Sequence, residues 1–262
     1  MPRQIPSAGA VALFALGLAD VAGAADLPIK APPMVAPVFN WTGFYIGGHV
    51  GWGWGDTDST ILEADNNFFP QGTVNHNTFD GFLGGGQVGY NYQVGQWVLG
   101  IEGQVSWTDI HGSNRHDAIL LANRHAITDI DINWVTTLTG RLGFAAGPAL
   151  FYVKGGGAWA DFESVGNSFV SSTGVLLQTA SGSETRTGWT VGGGIEYAFA
   201  GNWSIKGEYN FIDFGTERIT RSGTTFVTGA AVVAHRDADS QLNIVKFGIN
   251  YRFGAFPVVA KY

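Results

Sequence analysis

The sequence contains no cysteine and little charge. Without a Cys among its 262 residues, the chain has no disulfide framework, no thiolate metal site and no cysteine nucleophile. Charged residues make up 13% of the chain, about half of the roughly 25% that is usual in soluble domains. The net charge of −7 disfavours nucleic acid as a partner, because nucleic-acid binding needs a basic face.

Long hydrophobic runs are also missing. No segment reaches the roughly 18 consecutive apolar residues of a membrane-spanning helix. The longest apolar stretch follows Arg3 and precedes Ala22-Gly23-Ala24, which is the pattern of a secretory signal peptide. We therefore predict a signal peptide over residues 1–24, cleaved between Ala24 and Ala25. Four prolines within residues 25–40 predict an extended periplasmic linker, which leaves residues 41–262 as one domain.

Glycine and aromatic residues are abundant instead. The 39 glycines are about twice the usual share of roughly 7%. Because Gly costs about 1 kcal/mol in a helix interior, this composition disfavours a helical protein. Aromatic residues reach 13% of the chain, which disfavours disorder. The composition predicts an aromatic, glycine-rich β protein.

From Trp41 onward the chain shows about eight segments of alternating polarity. The clearest is Trp97–Thr108, in which Trp97, Leu99 and Ile101 alternate with small or polar residues. Each segment is long enough for the 9–11 residues, roughly, that a tilted strand needs to cross a bilayer. In several segments an aromatic residue lies near both ends of the apolar face, as two interfacial girdles would produce.

The connections between these segments alternate between short and long. Short turns occur at Val94–Gln96, Ala146–Pro148 and Gly201-Asn202. Short turns on one side and long loops on the other are typical of outer-membrane barrels. We expect an eight-stranded antiparallel up-and-down transmembrane β-barrel with short periplasmic turns. Its four long external loops are predicted at Gly55–Thr78, Ile110–Ile130, Ser164–Arg186 and Thr216–Gln241.

The bulky apolar faces are predicted to point outward. An eight-stranded interior is only just wide enough for side chains to fill it, so rings of Trp and Phe would not fit inside. An apolar area of that size is tolerated on an outer surface only by lipid. The residues predicted to face lipid are Trp97, Leu99, Ile101, Trp189, Ile195, Tyr209, Phe247, Tyr251 and Phe253.

The opposite faces carry a few charges, which are predicted to line the lumen. Charges in a narrow, poorly solvated lumen must pair or they cost several kcal/mol. One interpretation is a pairing network that plugs the barrel and fixes its register. The other is a gated, selective pore. The predicted network comprises Glu102, Arg141, Lys154, Glu196, Lys206, Glu208, Lys246 and Arg252.

Three segments carry a family resemblance: Asn40–Gly51, Gly84–Tyr92 and Val245–Phe253. They resemble the small outer-membrane β-barrel proteins of alphaproteobacteria, often labelled "porin family" and similar to the OmpA-type membrane domain. The resemblance implies an eight-stranded barrel in the outer membrane and no catalytic residues. Barrels of this kind often end at a terminal aromatic that the assembly machinery reads. Here Phe253 is followed by Gly254–Tyr262, so either Phe253 is read internally or Tyr262 takes its place.

The function expected from these features is a structural or surface-interaction role in the outer membrane of a Gram-negative envelope. We expect no enzyme, no catalytic residue, no cofactor and no metal site. The expected partners are outer-membrane lipid, lipopolysaccharide, the barrel-assembly machinery and an external ligand of unknown nature. Two alternatives stay open: a narrow porin-like channel for small solutes, and a haem or ligand binder that uses the loop histidines His76, His111, His116, His125 and His235.

Overall fold

The computed structural model describes residues 39–62, 70–118 and 123–254. The predicted signal peptide with its junction at Ala24 and Ala25 lies outside the described residues, as do residues 25–38 of the predicted linker and residues 255–262. Eight strands make up the described chain: β1 (Gly43–Ile61), β2 (Val74–Val94), β3 (Trp97–Asp117), β4 (Arg124–Ala146), β5 (Ala149–Val170), β6 (Leu176–Ala200), β7 (Trp203–Thr225) and β8 (Ala231–Arg252).

These strands form a closed antiparallel barrel. Each pairs with the next along the chain, and β1 pairs with β8 to close the ring. Closure leaves no strand edge, which is what a sheet needs in order to satisfy its backbone groups in lipid. The predicted eight-stranded up-and-down architecture is confirmed.

None of the described residues forms a helix that is long and apolar enough to span a membrane.

The turns at one end of the barrel are short, as predicted, and each has two residues. Gly95, Gly147 and Gly201 begin these turns with φ values of 62°, 61° and 52°. Glycine adopts this left-handed conformation without the steric cost of a Cβ, and such turns match the twist of the paired strands. The turns therefore hold neighbouring strands in tight register at the end predicted to be periplasmic.

The opposite end differs from the sequence expectation. The strands are 19 to 25 residues long, about twice the 9–11 residues that a bilayer requires. Most residues of the four segments predicted as long loops therefore belong to strands. The connections that remain are residues 62–73, 118–123, 171–175 and 226–230.

Two aromatic girdles mark the part of the barrel that crosses the membrane. Phe44 and Trp54 on β1 are ten residues apart on the outward face, as are Trp97 and Trp107 on β3. Phe44 is 63% exposed and Trp107 66%. Ten residues rising about 3.3 Å each and tilted by about 40° span roughly 25 Å, the usual height of the apolar band. The remaining half of each strand extends beyond the upper girdle.

Polarity changes sides at the upper girdle. Outward-facing aspartates lie two residues above the girdle aromatics on their strands: Asp56, Asp80, Asp109, Asp161 and Asp213 stand above Trp54, Phe82, Trp107, Trp159 and Phe211. The inward side of the extension is apolar, as in a water-soluble protein. Its buried cluster, which we call the apolar layer, consists of Phe79, Leu83, Ile110, Ile130, Ile132, Val135, Ala158, Ala160, Phe162, Ile212, Phe214, Leu242 and Ile244.

Strand pairing agrees with this placement of the membrane. Ladder pairs run along every seam between the girdles. The pairing of β6 with β7 is interrupted between residues 182–188 and 214–221, which lie beyond the upper girdle. Water can satisfy unpaired backbone groups there, whereas lipid cannot.

Candidate functional site

A layer of paired charges fills the lumen between the girdles, and we call it the charge layer. At its centre Lys154 Nζ donates to Glu102 Oε1 at 2.9 Å and to Glu208 Oε1 at 2.8 Å. Lys206 Nζ donates to Glu102 Oε2 at 3.0 Å, and Lys246 Nζ lies 3.4 Å from Glu208 Oε1. These side chains are at most 3% exposed. Five of the predicted lumen residues thus form one connected network.

A second pair lies beside this network. Arg141 Nη2 donates to Glu196 Oε2 at 2.5 Å, and the guanidinium carbon lies 3.6 Å from the centre of the Tyr152 ring. Ser204 Oγ and Asn250 Nδ2 donate to Glu196 Oε1 at 2.6 Å and 2.8 Å. A buried carboxylate needs hydrogen-bond donors at both of its oxygens. The arginine occupies Oε2 of Glu196, and the two neutral donors occupy Oε1.

Sequence reasoning missed the neutral members of the charge layer. Tyr45 donates its hydroxyl to Glu102 Oε2 at 2.9 Å and joins the two ion-pair groups, since Arg141 Nη1 donates to it at 3.4 Å. His49 Nδ1 lies 2.6 Å from Gln87 Oε1, and its Nε2 lies 2.8 Å from Ser106 Oγ. Every one of these residues lies on the inward face of its strand, so the alternation that located the charges could also have located them.

Glycine makes room for this layer at particular points. A Cβ on Gly47 would overlap the side chain of Asn250 and the backbone oxygen of Ile249. Gln87 Nε2, which donates to Asn250 Oδ1 at 2.7 Å, would also be displaced by it. Glycine at this position of β1 therefore lets polar side chains from β2 and β8 meet in a narrow lumen.

Arg252 is the one predicted network residue that the structure does not bring into the charge layer. Its guanidinium carbon lies 4.3 Å from the centre of the Phe39 ring and 5.2 Å from that of Trp41. In the part of the chain that the structure describes, no carboxylate lies within ion-pair distance of Arg252. The expectation that it joins the ion pairs was wrong, because its guanidinium lies against the aromatic rings of the chain that enters β1.

Apolar packing closes the lumen on both sides of the charge layer. At the base, Trp41, Val98 and Leu150 are 1%, 0% and 0% exposed. Beyond the charge layer lies the apolar layer, in which Phe162 packs edge-on against Phe79 and Phe214. A solute crossing the barrel would have to displace three packed layers in turn.

The residues predicted to face lipid lie on the outer wall. Trp97, Leu99, Ile101, Trp189, Ile195, Tyr209, Phe247 and Phe253 are between 44% and 66% exposed. Tyr251 is half-buried, because its ring packs between those of Trp203 and Phe253.

The histidines expected in external loops lie in strands instead. His76 is on β2, His111 and His116 on β3, His125 on β4 and His235 on β8. Two of them contact aspartates across a seam: His76 Nδ1 lies 2.7 Å from Asp58 Oδ1, and His111 Nδ1 lies 2.7 Å from Asp131 Oδ1. Within residues 39–62, 70–118 and 123–254, no three His, Asp or Glu side chains are grouped so that they could hold a metal ion.

The contact with Asp131 should be visible in the titration of His111. Its hydrogen bond to that carboxylate raises the pKa of His111 above the ordinary 6.5. The contact therefore stabilises the fold fully at pH values below the unfolded pKa, and its contribution is lost as the pH rises through the folded pKa. We expect an NMR titration to give a pKa above 6.5, lowered by Asp131→Asn and unaffected by Asp58→Asn. A pKa that Asp131→Asn leaves unchanged would contradict this assignment.

The chain is similar to known outer-membrane proteins. A family model described as "Outer membrane protein beta-barrel domain" matches residues 11–253. The 31 kDa outer-membrane immunogenic protein of Brucella melitensis biotype 1 is 32% identical over 251 residues, which cover 93% of this chain and 98% of that protein. The 22 kDa outer membrane protein of Rhizobium leguminosarum bv. viciae is 28% identical over 221 residues, 84% of this chain and 81% of that protein.

Solved structures that match this chain are more distant in sequence. OprG of Pseudomonas aeruginosa is 10% identical with a TM-score of 0.43, covering 83% of this chain and 100% of that one. The Escherichia coli outer membrane protease OmpT is 11% identical with a TM-score of 0.43, covering 82% and 98%. Likeness at this level does not bear on what this chain does.

Proposed function

The chain belongs to the family of outer membrane proteins with a β-barrel domain, and we propose that it acts in the outer membrane as a closed structural and surface-interaction protein. The lower half of the barrel anchors it, and the upper half holds an acidic wall above the lipid. The observation that carries the proposal is the lumen, which is filled from the base through the charge layer to the apolar layer. A filled lumen favours an anchor and display role over the transport of solutes.

The free-energy cost of separating the ion pairs of the charge layer opposes conduction. Opening a path would separate buried pairs such as Lys154 with Glu102 and Glu208, whose donor–acceptor distances are 2.9 and 2.8 Å. Breaking one partner out of a buried pair typically costs about 3–5 kcal/mol. The excess of basic side chains would favour anions only if such a path existed. The lumen charges are better suited to fixing strand register than to selecting solutes.

Planar-bilayer recording tests this proposal. We expect the refolded full-length protein to give no discrete conductance steps, with closure of the barrel verified by heat-modifiable gel mobility on the same sample. Detergent alone and heat-unfolded protein serve as controls. Reproducible steps from the closed barrel, absent from both controls, would replace the closed-anchor proposal with the narrow channel.

We propose further that the role is not catalytic. The support is the naming of the similar Brucella proteins as outer-membrane immunogenic proteins, which describes surface exposure and no reaction. Outer-membrane lipid, lipopolysaccharide and the barrel-assembly machinery are the partners that this role requires. A haem-binding role through the histidines stays a prediction, tested by a shift of the haem Soret band that is lost when those histidines are replaced.

A further inference from the structure

A groove runs along the outer wall between the two girdles, across β1 to β4. It has a volume of about 490 Å³ and is lined mainly by Ile46, Val88, Val105, Trp107 and Leu138. Gly86 and Gly103 form its floor. Its volume is within the roughly 300–1,000 Å³ of ligand pockets, and two further recesses of about 480 and 460 Å³ lie on the outer wall beside Val50 and Ile205.

The groove exists because two outward positions lack side chains. A Cβ on Gly103 would meet no atom within 4 Å, and one on Gly86 would come no closer than 3.5 Å to the Gly47 oxygen. These glycines are therefore not required by crowding, unlike Gly47 on the inward face. The flanking residues are bulky and exposed, with Val88 at 57% and Trp107 at 66%. Side chains on both sides thus stand above a bare strip of backbone.

We propose that this groove holds one acyl chain of an outer-membrane lipid. The occupant follows from the height of the groove, which extends from Ile46, two residues above the lower girdle aromatic Phe44, to Trp107 in the upper girdle. At that depth only hydrocarbon or another membrane-embedded surface can fill it. A void left there would forfeit the dispersion contacts of its lining. An extended chain lies in a groove of this shape more readily than the convex wall of a second barrel does.

The inference rests on the outer-membrane placement of the barrel, and it specifies the lipid partner further. It divides the wall into recessed stretches and stretches such as that around Val153 and Val191, which line none of these three recesses. Lipid should be held longer over β1 to β4 than over the wall near Val153 and Val191 on β5 and β6, where these side chains are 60% and 48% exposed.

Photo-crosslinking from the lipid chain tests the proposal. Full-length protein is refolded into phosphatidylcholine vesicles containing a phosphatidylcholine with a diazirine in its acyl chain, and the adducts are mapped by peptide mass spectrometry. We expect an excess of adducts on peptides around Val88, Val105 and Leu138, relative to the wall around Val153 and Val191. The variant Gly103→Leu, whose Cβ would meet no atom within 4 Å, places a side chain in the groove and should abolish that excess.

The matched control is Gly155→Leu, an outward glycine on β5 whose Cβ would come no closer than 3.4 Å to the Thr190 oxygen. It should leave the excess unchanged. Uniform labelling of wild type, or an excess that persists in Gly103→Leu, would overturn the proposal. Chain-to-chain adducts across the groove would assign it to a second copy instead. Heat-modifiable mobility and vesicle flotation report insertion separately, so a failure of the membrane placement is distinguishable from a failure of the groove.

Discussion

Replacing Glu208 with alanine should lower the free energy of unfolding by about 3–5 kcal/mol, the usual cost of removing one partner from a buried ion pair. Lys154, Lys206 and Lys246 all lie within 3.4 Å of this carboxylate. It also accepts hydrogen bonds from Tyr152 at 2.9 Å and Asn210 at 2.8 Å. Its loss would leave three ammonium groups in a closed lumen with Glu102 as the carboxylate that remains among them.

Urea unfolding in lipid vesicles, followed by heat-modifiable gel mobility, measures this effect. The matched control is Glu163→Ala on the outer wall of the extension, where the side chain is exposed and we expect a change within about 0.5 kcal/mol. If the free energy of unfolding of Glu208→Ala is within about 1 kcal/mol of the wild-type value, the charge layer is not a network of tightly coupled buried ion pairs.

A double variant separates loss of the pair from loss of packing. Lys246 lies 3.4 Å from Glu208 and also donates to Gln104. Combining Glu208→Gln with Lys246→Met removes one charge of each sign, so the double variant should be more stable than the sum of the single changes predicts. A double-mutant cycle gives this coupling, expected at roughly 0.5–3 kcal/mol for contacting residues. Strict additivity would mean that the two side chains do not interact.

The lower half of the barrel could be predicted in detail from the sequence. Between the girdles each strand has to present bulky apolar residues to lipid and small or polar ones to a narrow lumen. That requirement produces a regular alternation in the sequence, in which Trp97, Leu99 and Ile101 face outward and Glu102 and Gln104 face the lumen. Charge is scarce there, so parity alone placed seven of the eight predicted charged residues in the charge layer.

The upper half could not be predicted in the same way, because its alternation has the opposite sense. Phe162 and Ile130 point inward there while Asp161 and Asp129 lie on the water side. The register also shifts there: Asn133 is an extra residue of β4 against β5, while β3 has two residues, Thr108 and Asp109, against Asn133. A period-2 pattern that changes both polarity and phase at the girdle is easily mistaken for a loop.

Arginine at Ile195 should cost about 2–4 kcal/mol, the value for a cationic side chain near the middle of the lipid-facing wall. Ile195 is 52% exposed and lies four residues from Phe199 and six from Trp189 on the outward face of β6. The same change at Leu99, which lies two residues from Trp97 in the lower girdle, should lower the free energy of unfolding by only about 0–1 kcal/mol. The penalty for a cationic side chain falls towards the membrane interface.

Val233→Arg supplies the control that locates the membrane. Val233 is 56% exposed on the outward side of β8, as exposed as Ile195, but it lies beyond the upper girdle, where water reaches it. We expect a change within about 0.5 kcal/mol there, so urea unfolding in vesicles should rank the three variants Ile195→Arg, Leu99→Arg, Val233→Arg from most to least destabilised. Equal costs at Ile195 and Val233 would mean that the hydrocarbon does not end at the upper girdle, and the long strands would then have to be placed differently in the bilayer.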